Sequence, residues 1–332
     1  VVPVYRSARI LPELHKRLVN TLERLAVAFE IILVEDCGGD DSWEIINELA
    51  RSDRRVRGIR MSRNFGQHNA LLCGIRAARH ECTITLDDDL QNPPEEIPKL
   101  LDKLAQGYAV VYATPEHERH GLLRDVASRI TKLALTSTMG AETARNVSAF
   151  RAFRTDVRAG FADYRSPFVS IDVLLTWGTS RFAAIPVRHE PRLTGASGYT
   201  LRKLINHALN MMTGFSTLPL QVASIIGFAF TLFGICVLAY VLGRYFLEGG
   251  SIPGFPFLAS IIAIFSGAQL FALGIIGEYL ARMHFRTMER PPYVVASHTA
   301  SHDMLPVEAQ SRVEHDATSP TVAKLRVEAG EI

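Results

Sequence analysis

Cysteine is scarce. The 332 residues hold four, Cys37, Cys73, Cys82 and Cys236, at separations of 36, 9 and 154. That spacing fits neither a CxxC metal knuckle nor a small disulfide framework, and it reads as reduced thiols in a cytosol-facing protein. Net charge is scarce too: 36 Lys and Arg against 34 Asp and Glu leave a formal balance of +2. A nucleic-acid binder driven by bulk charge needs a broad positive field, which this balance removes. No internal repeat is present, and no leader-like stretch precedes the first strand-like run. Because the sequence opens on Val1 rather than Met, a few native residues are expected ahead of it.

What is there is apolar. Hydrophobic residues make up 48% and charged residues 21%, a composition that excludes a disordered chain. At roughly 150 residues per domain the length allows about two units. Of the 36 basic residues 30 are arginines, whose guanidinium suits bidentate phosphate contacts, although high-GC coding would enrich arginine equally.

Short β-rich runs alternate with helical spacing up to about Ala113. Val1–Tyr5, Glu30–Val34, Val56–Met61, Glu81–Leu86 and Ala109–Ala113 read as strands, and Leu11–Ala28, Ser42–Arg51, Gly66–Ala78 and Glu95–Gly107 as helices. This alternation predicts an α/β fold, a mainly parallel, doubly wound sheet covered on both faces. Ligands of such sheets bind beyond the carboxyl ends of the strands, so the loops after Tyr5, Val34, Leu86 and Ala113 are the expected working edge. Pro115–Leu218 is polar and Arg-rich, and it is expected to complete the same domain, 1–199, and close its site.

Two charge-free runs follow, Val222–Leu242 and Phe257–Ile276, of 21 and 20 residues. As helices each is about 30 Å long, close to the ~30 Å hydrocarbon core of a bilayer, so residues 221–284 are expected to form a two-helix transmembrane hairpin. Arg202 and Lys203 precede the first run, and Arg282, Arg286 and Arg290 follow the second, while the connecting turn holds only Arg244 and Glu248. The positive-inside rule places both ends in the cytoplasm. Ahead of the hairpin, Leu201, Leu204, Ile205, Leu209, Met212 and Phe215 give segment 200–220 an amphipathic pattern suited to the membrane interface. An ordinary core helix carries the same pattern. The rest, 285–332, is expected to be a flexible cytoplasmic tail.

The most specific local signal is Asp87-Asp88-Asp89-Leu90-Gln91-Asn92-Pro93-Pro94-Glu95-Glu96, directly after a strand. Adjacent carboxylates repel one another, which makes sense where a hard divalent cation such as Mg²⁺ or Mn²⁺ sits among them and a diphosphate supplies further oxygens. Glu35-Asp36, at another strand end, can accept hydrogen bonds from a base edge or a ribose. Ser62-Arg63-Asn64-Phe65-Gly66-Gln67-His68 opens a helix and turns its amides, with Arg63, towards the same edge.

Together with Val2-Pro3-Val4-Tyr5, these runs make the chain resemble glycosyltransferase family 2, and within it the polyprenyl-phosphate glycosyltransferases. His189-Glu190-Pro191-Arg192 with Gly195, Ser197 and Tyr199, then Phe215 to Leu220, then Gly274-Ile275-Ile276-Gly277-Glu278-Tyr279, extend the resemblance to about Val294. It implies a Rossmann-like GT-A catalytic fold, a UDP-sugar donor, a divalent metal (Mg²⁺ or Mn²⁺) and an undecaprenyl (polyprenyl) phosphate acceptor in the inner membrane. It also implies a homo-oligomer, commonly a tetramer, and no nucleic-acid partner.

Carried over position by position, Pro3, Tyr5, Glu35 and Asp36 would hold base and ribose, Asp36 foremost, with Arg63 beside them. Asp87, Asp88 and Asp89 would be the catalytic carboxylates, and Asp87, Asp89 and Gln91 the metal ligands. Arg124 and Ser128, four apart on one helical face, would meet the acceptor phosphate, with Arg119 standing in for an arginine missing near Thr114. Arg151, Arg192 and Ser197 would contact the diphosphate or close over it. The sequence departs from the family at Cys37-Gly38, at Asp88 and at Gly198.

The implied chemistry is inverting sugar transfer for cell-envelope glycan modification such as that of lipopolysaccharide. A polyprenyl phosphate oxygen is already ionised near neutral pH, so charge neutralisation outweighs the need for a general base. Two readings stand beside it: a GDP-mannose-using mannosyltransferase, and a silent membrane scaffold that binds nucleotide sugar. A processive polysaccharide synthase would need more helices and a Gln-x-x-Arg-Trp motif, and neither is present.

Overall fold

A computed structural model describes residues 1–115, 146–190, 218–248, 254–288 and 290–299. Arg119, Arg124, Ser128, Arg192, Ser197 and most of the segment 200–220 lie outside the described residues. The first unit runs β1 (Val2–Val4), α1 (Leu11–Arg24), β2 (Ile31–Glu35), α2 (Ser42–Ser52), β3 (Val56–Met61), α3 (Gln67–Ala77) and β4 (Cys82–Thr85). After a 3₁₀ turn at Pro94–Glu96 come α4 (Ile97–Ala105), β5 (Val110–Pro115), β6 (Arg151–Arg154), α5 (Ile171–Gly178) and β7 (Phe182–Val187). The long helices α6 (Leu218–Glu248) and α7 (Phe255–Thr287) and a last strand, β8 (Val295–His298), complete the described chain.

Two four-stranded sheets, β1-β2-β3-β8 and β4-β6-β5-β7, abut along β1 and β4. The Val1 nitrogen donates to the Ile84 carbonyl at 2.7 Å, and the Leu86 amide to the Val1 carbonyl at 3.4 Å. The pairs β1–β2, β2–β3 and β5–β7 are parallel, as the βαβ alternation requires. The sheets are nonetheless mixed, because β6 runs antiparallel between β4 and β5, and β8 runs antiparallel along β3.

The core follows the period of two. Ile31 and Leu33 face one side of β2 and join Leu11, Leu14 and Leu18 of α1 with Leu100 and Leu104 of α4. Ile32 and Val34 face the other side, against Ala70 and Cys73 of α3. Under β5 and β6, Leu71, Leu72 and Ile75 of α3 meet Leu174 and Leu175 of α5. A strand buried on both faces reads as an unbroken apolar run, which β2 is. Helix α1 stops at Arg24, short of Ala28, because Ala26 takes a left-handed conformation (φ 51°).

The expected flexible tail is corrected in part. Residues 290–299 return to the sheet, where β8 pairs with β3, the Thr299 hydroxyl accepts the Gly58 amide at 2.9 Å and the Ser62 amide donates to the Val294 carbonyl at 2.9 Å. Backbone pairing on an open sheet edge, rather than apolar content, holds this segment in place.

Helices α6 and α7 contain the two charge-free runs and extend beyond both ends of each. Both are long and apolar enough to cross a membrane. They meet where the Phe230 and Phe265 rings pack edge to face at 5.7 Å. A Cβ on Gly234 would stand 3.1 Å from the Phe265 ring, so the small residue permits the approach.

Candidate active site

Loops after β1, β2, β3 and β4 gather at one edge of the sheet, and they are held by strained backbone. Arg6, Cys37 and Leu90 adopt positive φ (57°, 52° and 58°), one in each of three loops. Non-glycine residues pay for this conformation, and they keep it where surrounding contacts over-determine it. At Arg6 the Nε donates to the Gly38 carbonyl at 2.9 Å, stapling the first loop to the second. At Leu90 the buried side chain anchors the acidic loop from below, so that Asp89 and Gln91 flank a fixed turn.

The three aspartates take different partners. Asp87 Oδ1 accepts the Gln67 Nε2 at 2.6 Å, which ties it to the first residue of α3. Asp88 turns to the β1 loop, where its Oδ2 accepts the Tyr5 amide at 3.1 Å and the Ser7 hydroxyl at 2.5 Å. Burial pushes the Asp88 carboxyl above the usual carboxylate range, against the pull of those two donors. Asp89 Oδ1 accepts the Gln91 amide at 3.1 Å, and the Gln91 carbonyl accepts the Glu190 amide at 2.8 Å. Among the described residues no three His, Cys, Asp or Glu side chains converge into a ready-made metal cage. Asp87 and Asp89 would hold a hard cation only together with oxygens supplied by ligand or water.

Glu35 and Asp36 serve the architecture of the edge. The buried Glu35 accepts the Gly38 amide on Oε1 at 2.6 Å, and its Oε2 lies 3.2 Å from the Nε of the partly exposed Arg60. Asp36 takes the amides of Phe65 at 2.7 Å and Gly66 at 2.8 Å, one on each oxygen, and so binds the β2 loop to the loop entering α3. Burial raises its carboxyl as well. Gly66 sits at φ 96°, which a side chain would strain. Pro3 is buried in β1 opposite Val34. Tyr5 is 46% exposed with the Arg6 guanidinium 5.3 Å from its ring centre, and the exposed Arg63 stacks on Phe65 at 4.2 Å.

Arg151, expected at the diphosphate, is 1% exposed on β6 and ion-paired with Asp172 of α5, beside the Tyr112 hydroxyl, which donates to the same carboxylate at 3.2 Å. A buried charge takes the nearest opposite charge, and here that partner is 21 residues along the chain with no periodic signal to announce it. Sequence reasoning also missed Arg17, which holds Glu95 at the end of the acidic motif (2.9 and 2.6 Å) and Glu190 (3.2 and 3.3 Å). The Arg17 hydrogen bonds hold the Glu95 carboxyl below its usual range. Ser7 and Gln67, the residues that orient Asp88 and Asp87, stood in or beside the motifs without marking themselves as orienters.

A mixed α/β sheet with aspartates at its carboxyl edge, followed by two helices long and apolar enough to cross a bilayer, defines a GT-A-like transferase. Residues 1–161 match the family described as "Glycosyl transferase family 2". Over 299 residues the chain is 36% identical to an undecaprenyl-phosphate 4-deoxy-4-formamido-L-arabinose transferase of Shewanella sediminis (strain HAW-EB3), covering 89% of this chain and 90% of that protein. A protein of the same name from Sodalis glossinidius (strain morsitans) is 34% identical over 298 residues, covering 89% and 91%. The chain belongs to glycosyltransferase family 2, and it is a glycosyltransferase. Solved structures match more loosely. Glucosyl-3-phosphoglycerate synthase from Mycobacterium tuberculosis, in complex with Mn²⁺, UDP-glucose and phosphoglyceric acid, superposes with a TM-score of 0.46 at 15% identity, over 64% of this chain and 78% of that one.

Proposed function

We propose that the chain transfers a sugar from a UDP donor to undecaprenyl phosphate at the cytosolic face of the inner membrane, inverting the anomeric carbon. The observation that carries this is the extent of the similarity, which spans the catalytic sheet and the hairpin together. The part that would meet a lipid is therefore shared, not only the nucleotide-sugar fold. The sugar named in those relatives, 4-deoxy-4-formamido-L-arabinose, is the first donor to test.

The acceptor phosphate carries a charge of about −1.5 to −2 near pH 7, so its oxygen attacks without a general base. The new bond joins that oxygen to the anomeric carbon, and the bond from the anomeric carbon to the UDP oxygen breaks with its electron pair leaving on UDP. Asp87 and Asp89, with Gln91, would hold a divalent cation, which when bound supplies the charge that stabilises the departing diphosphate. Gln67 orients Asp87. Asp88 fixes Tyr5 where a base can stack, and Asp36 and Glu35 hold the loops that shape that pocket. Arg119, Arg124 and Ser128 are proposed at the acceptor phosphate, and Arg192 and Ser197 over the diphosphate. Arg151 acts beneath the floor. Both termini are proposed in the cytoplasm, and the hairpin confines a protein whose acceptor never leaves the bilayer, which raises the effective concentration of each for the other.

The test is transfer of label from a panel of UDP- and GDP-sugars to undecaprenyl phosphate in detergent, with Mg²⁺ or Mn²⁺, with chelator, and with Asp89→Asn. A lipid-linked product from one donor, lost with chelator and in the variant, is the expected result. Binding of nucleotide sugar with no lipid product from any donor would overturn the acceptor assignment, and product only from a GDP-sugar would overturn the donor.

A further inference from the structure

One buried amide ties the strap behind the hairpin to the catalytic edge. Asn69, in the first turn of α3, is 7% exposed, and its Nδ2 donates to the Pro167 carbonyl at 3.1 Å and to the Pro292 carbonyl at 2.5 Å. Pro167 belongs to the loop that enters α5, and Pro292 to the strap that joins α7 to β8. Two hydrogens on one nitrogen thus hold two segments that are remote in sequence. The same first turn carries Gln67, the donor to Asp87, and His68, whose Nδ1 accepts the Ile171 amide at 3.3 Å. From the membrane side, the Arg282 guanidinium of α7 lies 4.8 Å from the centre of the Phe168 ring, in the loop that Asn69 grips.

We infer that Asn69 is a positioning residue that sets the height and tilt of the aspartate edge relative to the bilayer, by clamping the strap behind the second membrane helix to the turn that orients Asp87. The physical need is specific to a lipid acceptor. A phosphate fixed at headgroup depth reaches the donor only if the edge is held at a matching height, and misplacement by about 1 Å can cost ~100-fold in rate. A short, water-soluble isoprenyl phosphate diffuses into the edge at any height and does not need the clamp. The two carbonyls that Asn69 Nδ2 bonds belong to Pro167 and Pro292, neither of which is proposed at the donor, so the donor KM is expected to hold when the clamp is lost. This inference rests on the lipid-phosphate acceptor proposed above.

The experiment uses full-length protein in vesicles of bacterial phospholipid, with Asn69→Ala and, on the far side of the strap, Thr299→Val, which removes the acceptor for the Gly58 amide without touching α3. Three quantities are measured: kcat/KM with undecaprenyl phosphate, kcat/KM with a short soluble isoprenyl phosphate, and amide hydrogen exchange across β8. The expected result is a loss of about tenfold or more with the long acceptor in both variants. Rates with the short acceptor and the donor KM stay within about twofold, and β8 exchanges faster. Equal loss with both acceptors would make Asn69 a merely structural residue and overturn the inference, as would unchanged exchange in β8. Faster exchange in β8 while wild-type protein transfers only to the short acceptor would overturn the lipid-acceptor reading and with it the need for a set height.

Discussion

The catalytic unit and the hairpin use the same apolar residues in opposite ways. In β1 and β2 every residue is buried, and among the described residues of this unit the large apolar side chains left exposed, Tyr5, Val27 and Trp177, are scattered. In α6 and α7 the pattern inverts: Ile225 is 68% exposed, Phe228 72% and Leu270 68%. Isolated exposed apolar residues are ordinary, whereas a contiguous sleeve of them is tolerated only against a partner or a lipid phase. One unit completes its core within the protein, and the other turns its apolar surface outward, as helices long and apolar enough to cross a membrane would. Charge obeys the same division, since the catalytic unit holds a buried ion pair, whereas Val222–Leu242 and Phe257–Ile276 carry no charge.

The largest effect expected from this contrast is loss of that pair. Asp172→Ala leaves the Arg151 guanidinium buried and uncompensated and removes the acceptor of the Tyr112 hydroxyl, which should lower stability by about 3–5 kcal/mol. Thermal or denaturant unfolding of the detergent-solubilised protein reads it, and a fall of under about 1 kcal/mol would show that water reaches Arg151. The matching test on the other unit is Phe228→Asp, which should raise the cost of membrane insertion by about 3 kcal/mol while the catalytic unit unfolds as before. Insertion assayed by membrane fractionation, beside the unfolding curve, decides the point. If Phe228→Asp lowered the catalytic unit's stability as Asp172→Ala does, the two units would share one core and the contrast would break.

How much of this division the sequence revealed depends on what each element is made of. β3 is legible to the residue because Val56, Ile59 and Met61 make a short apolar run between the turn at Asp53 and Ser62, and α3 is legible to within a residue at each end. The charge-free runs mark both long helices. β6 is hidden because Arg151 and Arg154 bracket it, and a central strand with arginine at both ends looks like loop. β8 is hidden because its hold is backbone pairing, which Val-Ala-Ser-His does not advertise. At the edge the motif aspartates are plain in the sequence, but their division of labour is not. It depends on Leu90 turning left-handed and on Ser7 standing within reach of Asp88 from 81 residues away.

That division of labour sharpens the comparison within the catalytic unit. Asp89→Asn should lower transfer about 100-fold, an effect of ~2.7 kcal/mol on the barrier, because it removes a charged donor from the proposed cation. Asp88→Asn keeps an oxygen for the Tyr5 amide and the Ser7 hydroxyl, so its loss should stay within about tenfold. Steady-state rates with a saturating acceptor separate the two, and equal losses would return Asp88 to the reacting centre.

The smallest effect lies at the seam between the units, in β8. Lost hydration and the neighbouring Arg57 lower the His298 imidazole below its ordinary value near 6.5. A group whose proton is bound less tightly in the docked state than in the undocked one takes it up on undocking. Docking is therefore fully favoured above about pH 6.5 and weakens as pH falls from there towards the lowered value. Amide exchange of Arg60 and Ser297, corrected for its intrinsic pH dependence, should report more frequent opening at pH 5.5 than at 7.5. His298→Gln, which cannot titrate, should flatten that difference while β8 still pairs with β3. An unchanged slope in the variant would move the pH sensitivity to another group and leave the strap indifferent to His298.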